Sequence, residues 1–524
     1  MRRSISIALV IILWLGLALR LAPLDQNRFL EDEALYAYWG LQIATGADPM
    51  LDREPVDKPP LLPYLLALSF IFLGRDETAA RIPNLVSSVT GIALIYALAR
   101  QYLLAARPPL LSSRRESEAG ALLAALLLAL SPFDLLFAST AFTDPLMTTL
   151  MLGALYTAAQ DRPGTSGVLA GLMVATKQQG LFFLPLVIAF CWLFQASHHS
   201  PQEAKRFSGN SFTPMTPSFL LNQAHRIWRN RWLRLALGFA LVVGGILAWD
   251  AARLQRPGFL AQSWASYGGL SFVHWTELTM RINGWLPWLR SFWVSPGVNA
   301  LLLGGLALWI IASHQLQAIP RPGPADWTLL LFLMGYLVIH GVLSFQIWDR
   351  YLLPLIPLVA LLTTRGFVAL SQVIRAGPWK KACIIGLAVF VLISLSGPVL
   401  NAMQGRLPVG GDHGAYDGID QLAAYLRTQV PARSVLYHHW LGYHYRFYLY
   451  GSSLIQHWYP DVQDLVHHAT VYRREPRYIA FPSWRDSTFI QRALAEAGIT
   501  LSPVFYTLRR DGTISFRLYQ LKGP

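Results

Sequence analysis

Acidic residues are scarce in this sequence, and several stand beside a cation or just beyond an apolar run. The first group is Glu31-Asp32-Glu33, followed one turn later by Tyr36. The second is the ion pair Asp57-Lys58, which two prolines follow, so its backbone is stiff. A carboxylate can serve as a general base and a cation can hold an anion, so this pattern indicates acid–base chemistry on a charged substrate.

Three further polar groups stand at the ends of apolar runs. These are Asp144 in Thr143-Asp144-Pro145, Lys177 after Thr176, and the group Asp349-Arg350-Tyr351. An ammonium between two apolar runs is costly without an anionic partner, so Lys177 needs one. Simpler roles compete with chemistry, since Asp32 and Asp144 suit helix N-caps and Lys58 suits contact with lipid headgroups.

The composition identifies a membrane protein. Of 524 residues, 54% are hydrophobic and only 14% are charged, which is too apolar for a soluble chain of this length. The net charge of +14 is spread over short loops, as orientation in a membrane demands, and it does not indicate nucleic acid. Cys191 and Cys383 lie inside apolar runs, so we expect small buried hydrophobes there and neither a disulfide nor a metal site.

Apolar runs recur often enough to predict a polytopic α-helical protein, because each crossing needs about 20 apolar residues. The sequence predicts eleven transmembrane helices: 5–22, 81–102, 119–139, 144–159, 164–176, 179–197, 233–252, 297–314, 326–346, 351–372 and 381–400. With the N-terminus inside, the inner loops hold the basic residues Arg2, Arg3, Arg107, Arg114, Arg115, Arg162, Lys205, Arg206, Arg226, Arg229, Arg231, Arg321, Arg375, Lys380 and Lys381. We therefore expect a multi-pass protein of the plasma (inner) membrane with its C-terminus outside.

The chain divides into a membrane domain, residues 1–400, and an extracytoplasmic soluble domain, residues 401–524. Two long outer segments interrupt the membrane domain, 22–80 and 253–296. In the first we predict an amphipathic helix over 34–44 and an interfacial or re-entrant helix over 61–73, and the second is rich in Trp and suits the headgroup level. The stretch 198–216 is linker-like and lies on the inner face.

The soluble tail is predicted to be a small α/β domain. Patterns of apolar residues and helix-end signals favour helices over 421–428 and 487–497 and strands over 434–437, 477–481 and 514–521.

By this topology all five polar groups fall on the outer face of the membrane. Carboxylates and cations at one interfacial level suit a reaction that needs a base for a neutral acceptor and positive charge for a departing phosphate. A polyprenyl-phosphate sugar donor meets both demands, since its headgroup lies at this depth and Lys58, Lys177 or Arg350 can hold its phosphate. One carboxylate then suffices, unlike the pair in most glycoside hydrolases.

At this point the residues resemble a known group, the GT-C glycosyltransferases, and in particular the ArnT-like transferases and the dolichyl-phosphate-mannose-protein mannosyltransferases. The matching pieces, in the same order, are Asp32-Glu33-Ala34-Leu35-Tyr36, Asp57-Lys58-Pro59-Pro60-Leu61 with Tyr64, Glu77 to Pro83, Thr143-Asp144-Pro145, Gly171 to Gly180, and Arg350 to Pro354. The resemblance covers about the first 370 residues and hardly touches the tail.

The resemblance implies inverting transfer of a sugar from a polyprenyl-phosphate donor to a hydroxyl of a protein, glycolipid or envelope glycan. It implies that Asp32 is the catalytic carboxylate. Some substrate-binding residues follow from the resemblance and others from the argument that cations hold the donor phosphate. Together they are Glu33, Tyr36, Asp57, Lys58, Asp144, Lys177, Arg350 and Tyr351. Pro55, and Gln178-Gln179 after Lys177, depart from the family pattern, which leaves the sugar and the acceptor open.

Two other hypotheses compete with a transferase. A transporter or flippase of a lipid-linked substrate would show a repeat and polar residues at mid-membrane, and the sequence shows neither. An inactive lipid-binding scaffold would also retain the acids and the lysines. No cofactor is indicated; a divalent metal could use His274 and Glu277, but two residues three apart also suit a plain helix-surface pair.

Overall fold

Helices dominate the first four hundred residues of the computed structural model, which describes residues 2–104, 114–194, 217–269, 271–374, 377–407, 409–472 and 474–523. The helices of this part are α1 (Arg2–Leu21), α2 (Glu31–Ala44), α3 (Leu61–Leu73), α4 (Glu77–Leu104), α5 (Arg114–Ala129), α6 (Pro132–Ala138), α7 (Thr143–Ala159), α8 (Pro163–Thr176), α9 (Leu184–Leu193), α10 (Pro217–Ala251), α11 (Phe259–Tyr267), α12 (Leu278–Arg290), α13 (Pro296–Gln315), α14 (Pro324–Val342), α15 (Leu355–Ser371) and α16 (Pro378–Met403). Short 3₁₀ turns occupy Gln178–Phe183, Trp275–Glu277 and Asp349–Leu352.

These helices make the chain a multi-pass membrane protein. Among the described residues, seven helices are long and apolar enough to cross a membrane, and eight if the bent pair α5 and α6 forms one span. The helices α7, α8 and the stretch 178–193 coincide with predicted crossings but are shorter than the 18 residues of a full span. A count of eleven crossings therefore remains a prediction. The linker 198–216 and Arg107, Lys205, Arg206 and Arg375 lie outside the described residues.

The two outer segments are helical where the sequence predicts it, and they bind each other. The predicted helix over 61–73 is α3, and the predicted helix over 34–44 is α2, which begins three residues earlier. The guanidinium of Arg253 donates to the backbone carbonyls of Leu51 at 3.1 Å and Glu54 at 2.8 Å. Arg256 likewise donates to the carbonyl of Arg53 at 3.1 Å. These hydrogen bonds hold the two outer segments together.

The tail is an α/β unit, as predicted, with more elements than the sequence revealed. Its sheet has the strand order β2-β1-β3-β5-β4, with β1 parallel to both β2 and β3 and the other pairs antiparallel. Its elements are α17 (Ile419–Thr428), β1 (Val435–His438), α18 (Gly442–Tyr448), β2 (Ile455–Trp458), α19 (Val462–Val471), β3 (Arg477–Pro482), α20 (Thr488–Glu496), β4 (Thr500–Leu508) and β5 (Ile514–Lys522). Of these, α18, α19, β2 and β4 are absent from the prediction, because α18 and β2 are short and the apolar pattern of β4 is broken by Ser502 and Pro503.

The tail docks on the first outer segment through polar contacts. Tyr416 donates its hydroxyl to Glu31 at 2.9 Å, and the imidazole Nε2 of His444 lies 2.8 Å from the carbonyl oxygen of Phe29. Arg446 of α18 pairs with Glu54 at 3.2 Å. These contacts place the tail directly above the N-terminal end of α2, where Asp32 stands.

Candidate active site

Asp32 and Arg350 form the ion pair at the centre of the site. Arg350 Nη2 donates to Asp32 Oδ2 at 2.7 Å, across 318 residues of sequence. The Asp32 side chain is 35% exposed, whereas that of Arg350 is 12% exposed. The guanidinium carbon of Arg350 lies 4.5 Å from the ring centroid of Phe142, and its Nε makes no hydrogen bond within the described part of the chain. Asp32 is thus an accessible carboxylate beside a cation with a spare donor.

Glu33, next to Asp32, has a different environment. It is buried, and its carboxylate accepts backbone hydrogen bonds from Leu30 at 3.0 Å and Ala141 at 2.7 Å. Burial raises the pKa of Glu33 to about 7, while the nearby Arg81 and the two backbone donors oppose that rise. Glu33, and not Asp32, satisfies the N-terminal backbone of α2, so the N-cap expected of Asp32 is wrong. Glu33 therefore connects the loop before α2 to the loop before α7.

Lys58 forms the second charged pair. Its Nζ donates to the carboxylate of Asp57 at 2.8 Å and to the hydroxyl of Tyr267 at 2.6 Å, and it lies 4.2 Å from the Tyr267 ring centroid. Burial raises the pKa of Tyr267, and Asp57 and Asp32 raise it further, so Tyr267 stays a neutral phenol. Tyr267 ends α11, in the second outer segment, and so joins both outer segments at one cation.

Lys177 and Asp144 form the third pair, which supplies the anionic partner that the sequence demanded for this lysine. Lys177 Nζ lies 2.6 Å from Asp144 Oδ1, with 5% and 1% of their side chains exposed. The ammonium also lies 4.6 Å from the ring centroid of Tyr351. The expected N-cap role of Asp144 is wrong, because Phe142 precedes α7 and the helix start has no side-chain cap.

The three cations share one neighbourhood. Burial lowers the pKa of Lys177 to about 8; Asp144 opposes this, whereas the charges of Arg350 and Lys58 lower the pKa further. Tyr36 is buried among the same groups, and its pKa rises well above 10 through burial and the charge of Asp32, with Asp57 adding to the rise. Three positive side chains and the accessible Asp32 therefore lie in one region of the structure.

The residues just before α15 contact the start of the tail next to Arg350. Asp349 accepts from the backbone N–H of Gly410 at 2.7 Å, which ties the entrance of α15 to the start of the tail. Tyr443 of α18 is 42% exposed. Burial raises the pKa of Tyr443, Arg446 lowers it, and the carboxylates of Asp57 and Asp32 raise it again.

Sequence reasoning missed several residues of this site. Tyr267 and Phe142 carry no motif, and an aromatic residue gives no local sign of the cation it contacts. In the sequence Gln178 stands out only as a departure from the family pattern, yet its amide donates to the Asp57 carbonyl at 3.2 Å and to the Ser263 hydroxyl at 2.8 Å.

Metal ligands do not gather in the described part of the chain, where no group of three or more His, Cys, Asp or Glu side chains is placed to hold an ion. His274 is exposed and its Nδ1 lies 2.8 Å from the hydroxyl of Thr276.

The fold and site together define a polytopic membrane protein of the GT-C fold with a charged site under a small α/β tail. Residues 57–207 match the model of the family described as dolichyl-phosphate-mannose-protein mannosyltransferase. The structure is similar to a crystal structure of ArnT from Cupriavidus metallidurans in the apo state, with a TM-score of 0.63 and 15% identity, over 98% of this chain and 97% of that one. A structure of the same ArnT bound to undecaprenyl phosphate has a TM-score of 0.61 at 15% identity and the same coverage.

No curated protein sequence matches the chain. The resemblance drawn from the motifs is confirmed in two ways: by the family match over residues 57–207, and by the ArnT-like fold over nearly the whole chain.

Proposed function

We propose that this protein is a membrane glycosyltransferase that moves a sugar from a polyprenyl-phosphate donor to a hydroxyl acceptor on the outer face, with inversion. The observation that carries the proposal is the convergence of Lys58, Lys177 and Arg350 beside the accessible carboxylate of Asp32. Positive charge stabilises a departing phosphate, so the leaving group needs no general acid and one carboxylate suffices as base.

The cations retain donors for a phosphate although each has a carboxylate partner. A lysine has three N–H donors and an arginine five. Among the described residues, Lys58 uses two of its donors, on Asp57 and Tyr267, and Lys177 uses one, on Asp144. Arg350 keeps Nε free. Phosphate oxygens can therefore bind without breaking the pairs that hold the cations in place.

The same geometry gives Asp32 a role that changes during the reaction. A phosphate bound at the free Nε of Arg350 shares the positive charge of the guanidinium with Asp32, which weakens the pull of the guanidinium on that carboxylate and makes Asp32 a stronger base. The acceptor hydroxyl then attacks the anomeric carbon, its proton passes to Asp32, and the carbon–oxygen bond to phosphate breaks, with the electron pair leaving on the phosphate. Attack from the face opposite the phosphate inverts the anomeric centre.

The comparisons support the donor class. The family that matches residues 57–207 is described by a dolichyl-phosphate-linked sugar, and the ArnT structure of the same fold holds undecaprenyl phosphate. The basic residues of the predicted inner loops support an outward-facing site, because that charge pattern assigns every charged group of the site to the opposite face of the membrane.

Purified protein in detergent or nanodiscs tests this proposal with labelled polyprenyl-phosphate sugars and acceptors of the three classes: protein, glycolipid and envelope glycan. Asp32→Asn is expected to lower transfer by about 10²–10⁴-fold, the range that a general base contributes. Asp25→Asn is the matched control, because the Asp25 side chain is 80% exposed and pairs with Arg28, which belongs to none of the three pairs of the site. Undiminished transfer by Asp32→Asn refutes the role of Asp32, and flux of a lipid-linked substrate without a covalent product would favour a transporter.

We further propose that the tail selects the acceptor, because its helix α18 contacts the first outer segment through His444 and Arg446 and leaves the Tyr443 side chain 42% exposed. Replacing Tyr443 with alanine should raise the KM for the acceptor and leave binding of undecaprenyl phosphate unchanged. Tyr506→Ala, in the edge strand β4, is the control, since that side chain is 60% exposed on the sheet. An unchanged acceptor KM in Tyr443→Ala would count against this role of the tail.

A further inference from the structure

Arg20 lies outside the site, and every hydrogen of its guanidinium has an acceptor. It is fully buried at the end of α1. Its five guanidinium hydrogens serve five acceptors: the Ser88 hydroxyl at 2.7 Å, the Asp134 carboxylate at 2.5 Å, and the backbone carbonyls of Gly16, Leu128 and Ala129 at 3.0, 3.1 and 3.1 Å. Ser88 also donates to the same Asp134 oxygen, at 2.5 Å.

These acceptors surround the break between α5 and α6, where the helix axis bends by 59°. Pro132 begins α6 and has no N–H, so the carbonyl of Leu128 loses its ordinary helical donor. The Ala129 carbonyl stands at the end of α5, where helix carbonyls need outside partners. Arg20 supplies a donor to both carbonyls and, through Asp134, holds the first turn of α6. A single side chain therefore fixes both sides of the bend.

The bend determines where the chain emerges at the site. Helix α6 leads to Ala141, whose N–H donates to Glu33, and to Phe142, whose ring lies under Arg350. Asn84 holds the same turn, donating to the carbonyls of Thr140 at 2.8 Å and Phe142 at 2.7 Å. A seven-residue helix is about 10 Å long, so a change of angle at its start displaces its far end by ångströms.

We propose that Arg20 and Asp134 form a positioning pair, which sets the angle of α6 and so places Ala141 and Phe142 against Glu33 and Arg350. The effect of the pair on catalysis depends on the transferase function proposed above, whereas its effect on the structure does not. Neither residue touches the reacting groups, so the pair acts through α6.

Hydrogen exchange of the amides in residues 139–143, in the full-length protein in nanodiscs, tests the pair directly. In Arg20→Met the Ala141 amide should exchange at least ten-fold faster, because its acceptor Glu33 no longer stays in register. Arg365→Met is the matched control: Arg365 forms another buried pair, with Asp326 at 3.2 Å, and contacts neither α6 nor the turn after it. Exchange at 139–143 should remain unchanged in the control even if its melting temperature falls equally.

Two milder variants test the pair even if Arg20→Met does not fold. Ser88→Ala removes one hydrogen bond to Asp134 and should accelerate the same exchange by a smaller factor. Arg20→Lys keeps a positive charge beside Asp134 but has too few donors for all five acceptors, so it should be intermediate. Wild-type exchange at Ala141 in both Arg20→Met and Ser88→Ala overturns the proposal.

Transfer assays on the same variants add the catalytic consequence. A displacement of about 1 Å at catalytic groups can cost about 10²-fold in rate, so kcat should fall far more in Arg20→Met than in Arg365→Met. Partial rescue of kcat by Arg20→Lys would follow the exchange rates. If the wild-type protein transfers no sugar, the proposed function fails while the exchange result still decides the positioning pair.

Discussion

Replacing Asp144 with asparagine tests whether the site needs the positive charge of Lys177, because the variant keeps the lysine but removes its carboxylate partner. The carboxylate of Asp144 lies 2.6 Å from the lysine Nζ, and both side chains are at least 95% buried. If Lys177 kept its charge in the variant, the loss of its partner would cost about 3–5 kcal/mol. Because the pKa of Lys177 is about 8, releasing its proton at pH 7 costs only about 1.4 kcal/mol.

The variant should therefore remain folded and carry a neutral Lys177. Its loss of unfolding free energy at pH 7 is limited to about 1.5 kcal/mol by that deprotonation. A penalty of about 3 kcal/mol on the charged form moves the pKa of Lys177 from about 8 to about 6, so only about a tenth of the molecules hold an ammonium at pH 7. Binding of a phosphate that requires the ammonium should weaken about ten-fold at pH 7 and recover most of that loss at pH 5.5.

Binding of undecaprenyl phosphate to Asp144→Asn and wild type, measured at pH 5.5, 7 and 8.5, tests this reasoning. Asp326→Asn is the matched control, because its partner Arg365 is a guanidinium, which does not lose its proton in this range. The control should show no pH-dependent change relative to wild type. A defect in Asp144→Asn that is equally large at pH 5.5 and pH 7 would refute the titration of Lys177, and the absence of any defect would refute its contact with phosphate.

Three further predictions concern neighbouring groups. The pKa of Glu33 is about 7, above the 4.5 of a free glutamate. The contribution of Glu33 to stability is therefore complete below pH 4.5 and is lost as the pH rises through 7, a loss of about 3 kcal/mol. Thermal melts of Glu33→Gln between about pH 5 and 8 should not show this loss. Tyr267→Phe removes one hydrogen bond from Lys58, worth about 1 kcal/mol, and should raise the donor KM several-fold with little change in melting temperature. Arg446→Ala breaks a partly exposed pair with Glu54, so the melting temperature should fall slightly while limited proteolysis at the junction of tail and membrane domain becomes faster; unchanged cleavage would show that this pair does not hold the tail.

Much of this molecule follows from local sequence. Apolar runs of about 20 residues match the thickness of the hydrocarbon core of a membrane. Inside that core a segment must be a helix or part of a closed barrel, because an unpaired backbone group is too costly there. That requirement gives the membrane class, and the outer segments and the tail follow from where the runs stop. Lys177 shows how far such reasoning reaches: its apolar surroundings demanded an anion, and Asp144 is that anion.

Local patterns gave the wrong role where a residue had two suitable partners. Asp32 and Asp144 both stand two positions after the N-cap, in the first turn of a helix, and both pair with cations that are far away in the sequence. Glu33 has the backbone contacts that were expected of Asp32. Such a choice depends on what the rest of the fold brings near.

Local sequence patterns are enough to predict that the chain crosses a membrane many times, that it carries an α/β tail, and that its chemistry-bearing residues lie at the ends of helices. Which of these residues contact each other depends on the tertiary structure. Asp32 pairs with Arg350 across 318 residues and Arg20 with Asp134 across 114. The period of a helix reports which face is apolar, but contacts between helices depend on their packing angles and on breaks such as that at Pro132, which no local pattern encodes.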